Sequence, residues 1–159
     1  MKNKCILVLY SYHHKNTEKI AKVFAKVLDA QIKTPQQVQP EEFQDYDLIG
    51  FGSGIYGATH HKLLLDLADT LSQVSNVKAF IYSTAALTGK KKVAKDHSLL
   101  REKLQLKGYI IVDEFQCKGF NTNSFMKYFG GMNKGRPNAE DIKNAEEFAQ
   151  TLKQNQSRE

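Results

Sequence analysis

Cysteine is scarce: Cys5 and Cys117 are the only two, and no CxxC occurs. Such a pair makes no disulfide framework, and both are expected as buried free thiols. No apolar run approaches membrane-spanning length, and the N-terminus lacks the long apolar core of a secretion signal. The expectation is a soluble protein of the cytoplasm. The GxxxxGK[ST] pattern of nucleoside-triphosphate loops is also missing. Disorder is expected only in the polar end of the chain, from Lys153 to Glu159, which leaves one domain over 1–153 and a polar tail over 154–159.

What is present suits a single core. The chain has 159 residues, 41% of them apolar, with nine Phe and seven Tyr to fill an interior. The net charge of +6 permits attraction to acidic proteins, nucleic acid or anionic cofactors without selecting among them.

Strand and helix signals alternate. Cys5-Ile6-Leu7-Val8-Leu9 reads as a buried strand, and Ile20, Val23, Phe24, Val27 and Leu28 follow at helical spacing. Residues 30–33, 47–52, 77–82 and 109–115 read as further strands. Helical faces are expected from Leu63 to Leu71, over 91–106, and from Ile142 to Leu152. Asn138 and Asp141 have the spacing of a capping box for the last helix. Residues 34–45 form a polar connection. Such alternation predicts a parallel sheet covered on both faces, with ligands outside the carboxyl ends of its strands.

The first of those ends is YSYHHKNT, residues 10–17. It opens the first helix, where backbone N–H groups and the positive dipole end point outward. Ser11, Asn16 and Thr17 add neutral donors, and His13 and His14 add ring nitrogens. No acidic residue stands there to hold Mg²⁺. The turn suits a phosphate monoester without metal; it equally suits an ordinary helix cap, since Ser, Thr and Asn are common cap residues.

Gly52-Ser53-Gly54-Ile55-Tyr56-Gly57 matches GxGxxG. The dinucleotide fingerprint belongs in the first strand–helix turn, with an acid about 20 residues later. Here it follows the third strand, and the next strand ends at Tyr82-Ser83-Thr84. The loop is better suited to a flat ligand, with Ile55 and Tyr56 able to pack on a ring, or it is simply a glycine-rich turn. The acidic residues of a signalling receiver domain are missing from both strand ends.

A phosphate loop after strand one and a ring-binding loop after strand three resemble the flavodoxin family, over nearly the whole chain. Residues 83–89 (STAALTG), 108–120 (GYIIVDEFQCKGF) and 135–149 resemble a branch that opens with YSxHHxNT. The resemblance implies an α/β fold: a flavodoxin-like, doubly wound, five-stranded parallel sheet in the order 2-1-3-4-5, in three α/β/α layers. It implies FMN as cofactor. Ser11, His13, Asn16 and Thr17 match the phosphate loop. Ser53, Gly54, Ile55, Tyr56 and Gly57 match the loop beside the flavin ring, and Ser83, Thr84, Ala85 and Gly89 match the loop on its other side. The chain departs from the pattern at Lys15, where glycine is common in the branch, and in its basic charge.

The implied role is electron transfer with a redox partner protein, acidic and ferredoxin-like or a reductase. The alternatives are an FMN-dependent reductase of a small acceptor such as a quinone, and a cofactor-free module that keeps the fold. No catalytic residue is assigned. The adjacent pairs His13-His14 and His60-His61 invite a metal, but adjacent residues converge poorly on one ion, so no metal site is expected. Lys90, Lys91, Lys92 and Lys95 read either as a solvated face or as a docking patch for an acidic partner. No aromatics interleave with them, which disfavours nucleic acid. The aromatic, glycine-rich stretch over 116–137 is expected either as satellite packing or as a lid over the flavin edge.

Overall fold

Strand β1 (Cys5–Tyr10) runs between two parallel neighbours, β2 (Gln31–Lys33) and β3 (Leu48–Tyr56), and both its faces are buried under helices. The computed structural model describes residues 3–11, 15–119 and 133–158. Helix α1 (Asn16–Leu28) follows β1, and β4 (Thr59–His60) and α2 (Lys62–Thr70) follow β3. Then come β5 (Lys78–Ala85), α3 (Lys90–Asp96), α4 (Ser98–Leu106), β6 (Ile110–Lys118) and α5 (Ala139–Ser157). The sheet order is β2-β1-β3-β5-β6, with β4 paired to β3 alongside this path. Apart from that short hairpin strand it is the doubly wound order expected.

Alternation along the strands sorts the core into two layers. Ile6, Val8, Ile49, Phe51, Ala79 and Ile81 pack with Leu64, Leu67, Leu100 and Leu104 of α2 and α4. Leu7, Leu9, Leu48, Phe80 and Tyr82 pack with Ile20, Phe24, Ala145 and Ala149 of α1 and α5. The connection expected over 34–45 adds Val38 and Phe43 to the first layer and contains a 3-10 turn, Pro40–Asp45. Cys5 and Cys117 are free and buried, and burial pushes both thiols up to about 12.

Two expectations about helices need correction. The helix expected over 91–106 is two helices meeting at His97, which has φ −91° and ψ −7°. The break follows from the side chain there: His97 is fully buried and bonded to two strands, as described below. The polar tail is helical through Ser157. Its Lys and Gln residues are good helix formers, so α5 propagates beyond its last buried residue, Leu152. The start of α5 is as expected. Asp141 N–H donates to Asn138 Oδ1 at 3.0 Å, and Asn138 N–H donates to Asp141 Oδ2 at 2.8 Å. Arg136 adds a two-pronged pair to the Asp141 carboxylate at 2.5 and 2.6 Å.

A bulge decides which β6 residues face which layer. Ala79 pairs with Ile111 but Phe80 pairs with Asp113, so Val112 is the extra residue. Beyond it every side chain of β6 changes face. Glu114 and Gln116 therefore lie in register with Ile81 and Ser83, on the α2–α4 side.

Candidate functional site

The carboxyl ends of β1, β3, β5 and β6 and the start of α1 come together at one edge of the sheet. Lys15, which caps α1, has φ 51° and ψ 38°, and no side chain among the described residues bonds into the cap. Lysine thus adopts the left-handed conformation that glycine takes easily, and the cap geometry survives the change of residue. Ser11 Oγ accepts the Glu18 N–H at 3.4 Å. Thr17 is buried, and its hydroxyl is 2.8 Å from that of Thr84 at the end of β5. Asn16 lies against Gly119, where an added Cβ would meet its Nδ2 at 2.7 Å. Ala85 O accepts the Gly119 N–H at 3.0 Å, and Asn133 Nδ2 donates to Ala86 O at 2.7 Å. The α1 start is thereby tied to the loop after β5 and the end of β6. His13 and His14, and most of the 116–137 stretch, lie outside the described residues.

The segment expected as an open loop after the third strand is a hairpin. Ile55 pairs with His60 and Tyr56 with Thr59, and the turn residues Gly57 and Ala58 have φ 59° and 63°. Two positive φ values in a two-residue turn are the type I′ requirement, which Gly57 meets without strain. The Tyr56 ring folds back over Gly54, where an added Cβ would lie 3.1 Å from the Tyr56 hydroxyl. It stands edge-on to His61, with centroids 5.3 Å apart. His61 stacks flat on Tyr10 at 4.0 Å, and its Nδ1 accepts the Leu63 N–H at the start of α2. Burial lowers the His61 pKa. Gly89, the last of the expected site residues, caps α3 and is exposed.

Ser53 and Ser83, expected beside a ring, turn their hydroxyls into the protein. Tyr10, Ser53, Ser83 and Gln116 form one register row across four strands. A polar residue of the layer above sits on each. Ser53 Oγ lies 2.8 Å from His60 Nδ1, and Ser83 Oγ lies 2.7 Å from His97 Nε2. Gln116 Nε2 donates to Ser83 Oγ at 3.1 Å and to Asp96 Oδ2 at 2.9 Å. His97 Nδ1 is 2.9 Å from Glu114 Oε1, and Arg101 grips the same carboxylate at 2.6 and 2.9 Å. Against the burial that raises it, His97 and Arg101 hold the Glu114 carboxyl down at about 2. Burial first, and His97 second, lower the His60 pKa well below its ordinary value.

Sequence reasoning missed Asp96, His97, Glu114 and Gln116. The adjacent Asp96-His97 in an otherwise amphipathic helical stretch was the one available signal. The two rings of His60-His61 diverge: His60 points inward to His97, while His61 turns out to Tyr10. Among the described residues no group of three His, Cys, Asp or Glu is placed to hold a metal.

This arrangement, an α1 start flanked by two strand-end loops on a doubly wound sheet, agrees with what known proteins show. Residues 7–131 match the sequence profile of the flavodoxin domain. The chain belongs to the flavodoxin family. Within the reach of the comparisons, it is 48% identical to an uncharacterized protein of Methanocaldococcus jannaschii over 152 residues, covering 96% of this chain and 99% of that one. Oxidised flavodoxin 2 from Bacillus cereus superposes with a TM-score of 0.71 at 17% identity, covering 96% of this chain and 99% of that one. A flavodoxin from the domain Archaea gives 0.62 at 14% identity, covering 92% and 93%. Both structural likenesses are of fold. The polar row lies directly under the β3–β4 hairpin and the end of β5. No helix among the described residues is long and apolar enough to cross a membrane.

Proposed function

We propose that this flavodoxin-family chain binds FMN at the carboxyl ends of β1, β3 and β5 and serves as an electron carrier. The observation that carries this is the α1 start. Its cap is in the left-handed conformation, the Lys15 side chain makes no cap bond, and it is tied through Thr17 to Thr84 on the next-but-one strand. Although Ser11 Oγ takes the Glu18 N–H, a helix N-terminus favours an anion. The flanking donors are hydroxyls and an amide, which suit a phosphate monoester. Among the described residues, an added Cβ at Gly57 or Gly89 would meet nothing within 4 Å. The residues therefore fit FMN. When bound, FMN supplies the ring that carries electrons. Asn16 and the first-turn N–H groups of α1 would hold its phosphate, and Tyr56 and the 85–89 loop would flank its ring.

Flavin fluorescence tests this. FMN should bind and FAD should bind much more weakly, because the α1 start offers donors for one terminal phosphate. Asn16→Ala and Thr17→Ala should each weaken FMN by about 1.5–3 kcal/mol while sparing riboflavin. Equal losses for riboflavin would show that these residues shape the loop rather than hold the phosphate. A protein that takes up no flavin would be a cofactor-free module, and turnover of NAD(P)H with a quinone would make it a reductase.

The partner we propose is an acidic redox protein docking on α3. Lys90, Lys91 and Lys95 are exposed there, next to the loop after β5, whereas Lys92 is held by Asp96. Changing those three lysines to glutamate should slow electron transfer from an acidic donor at low salt. The difference should vanish as ionic strength shortens the Debye length below about 8 Å. Rates equal to the parent's at every ionic strength would make the three lysines a solvated face.

A further inference from the structure

Beneath the two flavin loops lies a pair of histidines that neither the fold nor phosphate binding requires. His60 and His97 are fully buried, with ring centroids 4.9 Å apart. One hangs from Ser53 in the hairpin and the other from Ser83 at the end of β5. Each is thus one hydrogen bond from a loop that flanks the flavin position.

The hydrogen-bond partners fix where the protons are. The Glu114 carboxylate only accepts, so His97 carries its proton on Nδ1. Its Nε2 lone pair then accepts the Ser83 hydroxyl, which itself accepts from Gln116. Ser53 donates its hydroxyl hydrogen to Gly54 O at 2.7 Å, so His60 must donate from Nδ1. That leaves a lone pair on His60 Nε2, and this atom is buried without a partner. Gln116 Oε1, an acceptor of the same register row, is likewise buried and unpartnered. One basic nitrogen, His60 Nε2, is thus unused by the described residues.

The surrounding charges are already balanced. From β6 and α4 the pair faces Glu114 with Arg101, and from α3 it faces Asp96 with Lys92. From α2 comes His61, turned away toward Tyr10. Two carboxylates and two cations cancel, so negative charge added to the adjoining loops has no fixed counter-charge in this layer. The group in this layer that can supply one by taking up a proton is the His60 imidazole, through Nε2.

We propose that His60, held by Ser53 and packed against His97, takes up a proton at Nε2 when the flavin in the adjoining loops is reduced, so that proton uptake and flavin potential are linked. The inference rests on flavin occupying the site proposed above. The electron comes from a one-electron donor protein, or from dithionite in vitro, and goes to the flavin. The proton comes from solvent and goes to the Nε2 lone pair of His60; no other bond forms or breaks. By reciprocity, whatever reduction adds to the proton affinity of His60, protonation adds to the ease of reduction.

The test compares the FMN-loaded parent with His60→Asn, whose amide keeps a donor to Ser53 but cannot titrate. Proton uptake by the flavin itself is common to both, so the difference between them is the readout. Burial lowers the His60 pKa, so the difference falls on the acid side of the ordinary imidazole value of about 6.5, where the parent's potential should fall more steeply with pH than the variant's. Imidazole nitrogen NMR of the parent should show the proton affinity of His60 rising about tenfold or more on reduction, equivalent to about 59 mV for one electron. Equal slopes in parent and variant, or imidazole signals unmoved by reduction, would overturn the inference. If the variant does not fold, the parent's NMR decides alone. Failure to bind FMN would appear separately in the fluorescence assay, and would remove the proposed function and this inference together.

Discussion

Lys92→Met should destabilise the protein by about 3–5 kcal/mol, the loss typical of leaving a buried charge without its partner. Asp96 has no exposed surface, and Lys92 Nζ lies 2.5 and 2.6 Å from its two oxygens. The only other bond to that carboxylate among the described residues comes from Gln116 Nε2. Methionine keeps the stem and the helix propensity of lysine, so the change isolates the charge. Asp96→Asn in the same chain removes the stranded carboxylate and keeps an acceptor for Gln116, and it should restore most of the loss. Urea unfolding of the two single variants and the double variant gives the coupling directly. If Lys92→Met costs no more than a surface change, about 0.5 kcal/mol, Asp96 is not held by this pair. The sequence reading had grouped Lys92 with Lys90 and Lys91 as one basic run. Its position one helical turn before Asp96 separates it from them.

That case shows what the sequence made legible and what it did not. The elements were readable from their apolar patterns: an unbroken run along Cys5 to Leu9, as a strand buried on both faces requires, and a spacing of nearly four along Ile20 to Leu28. The last helix was readable from two residues, since a capping box is local. The parallel order follows from alternation and the handedness of crossovers, both of which need only the sequence of element types.

The polar row under the hairpin and the end of β5 was not readable, because it depends on register between strands far apart in the chain. Ser53, Ser83 and Gln116 meet only after two crossovers have been fixed. One extra residue at Val112 then decides that Glu114 and Gln116 face His97 rather than α5. No local signal announces a bulge there, since Ile110-Ile111-Val112 reads as an uninterrupted apolar strand. The hairpin was hidden for a related reason. Gly57 is an ordinary turn residue, but its partner Ala58 adopts φ 63°, a conformation that alanine does not advertise. Residues given to a ring by resemblance are therefore of two kinds. Tyr56 and Gly89 lie on the open side of the loops, and Ser53 and Ser83 hold the histidine layer beneath them.

Gly52→Ala should cost about 3 kcal/mol of stability, the upper part of the range for forcing a methyl into a packed core. An added Cβ would lie 2.1 Å from Tyr82 Cε2, on the ring face rather than at the end of a flexible chain. Tyr82 cannot swing away freely. Its ring packs edge-to-face with Phe24 at 5.3 Å, and its hydroxyl donates to Val8 O at 3.0 Å. Glycine at 52 is thus required by a neighbouring strand's aromatic ring, not by a ligand, although it opens the GxGxxG match. Gly54, the second glycine of that match, faces the movable end of Tyr56, so Gly54→Ala should be tolerated far better. Tyr82→Leu added to Gly52→Ala should recover part of the loss, short of the roughly 1 kcal/mol of the forfeited hydrogen bond to Val8. Thermal unfolding of the three variants, with FMN affinity measured alongside, separates the two roles. A Gly52→Ala protein as stable as the parent but unable to bind flavin would mean that the glycine serves the ligand after all.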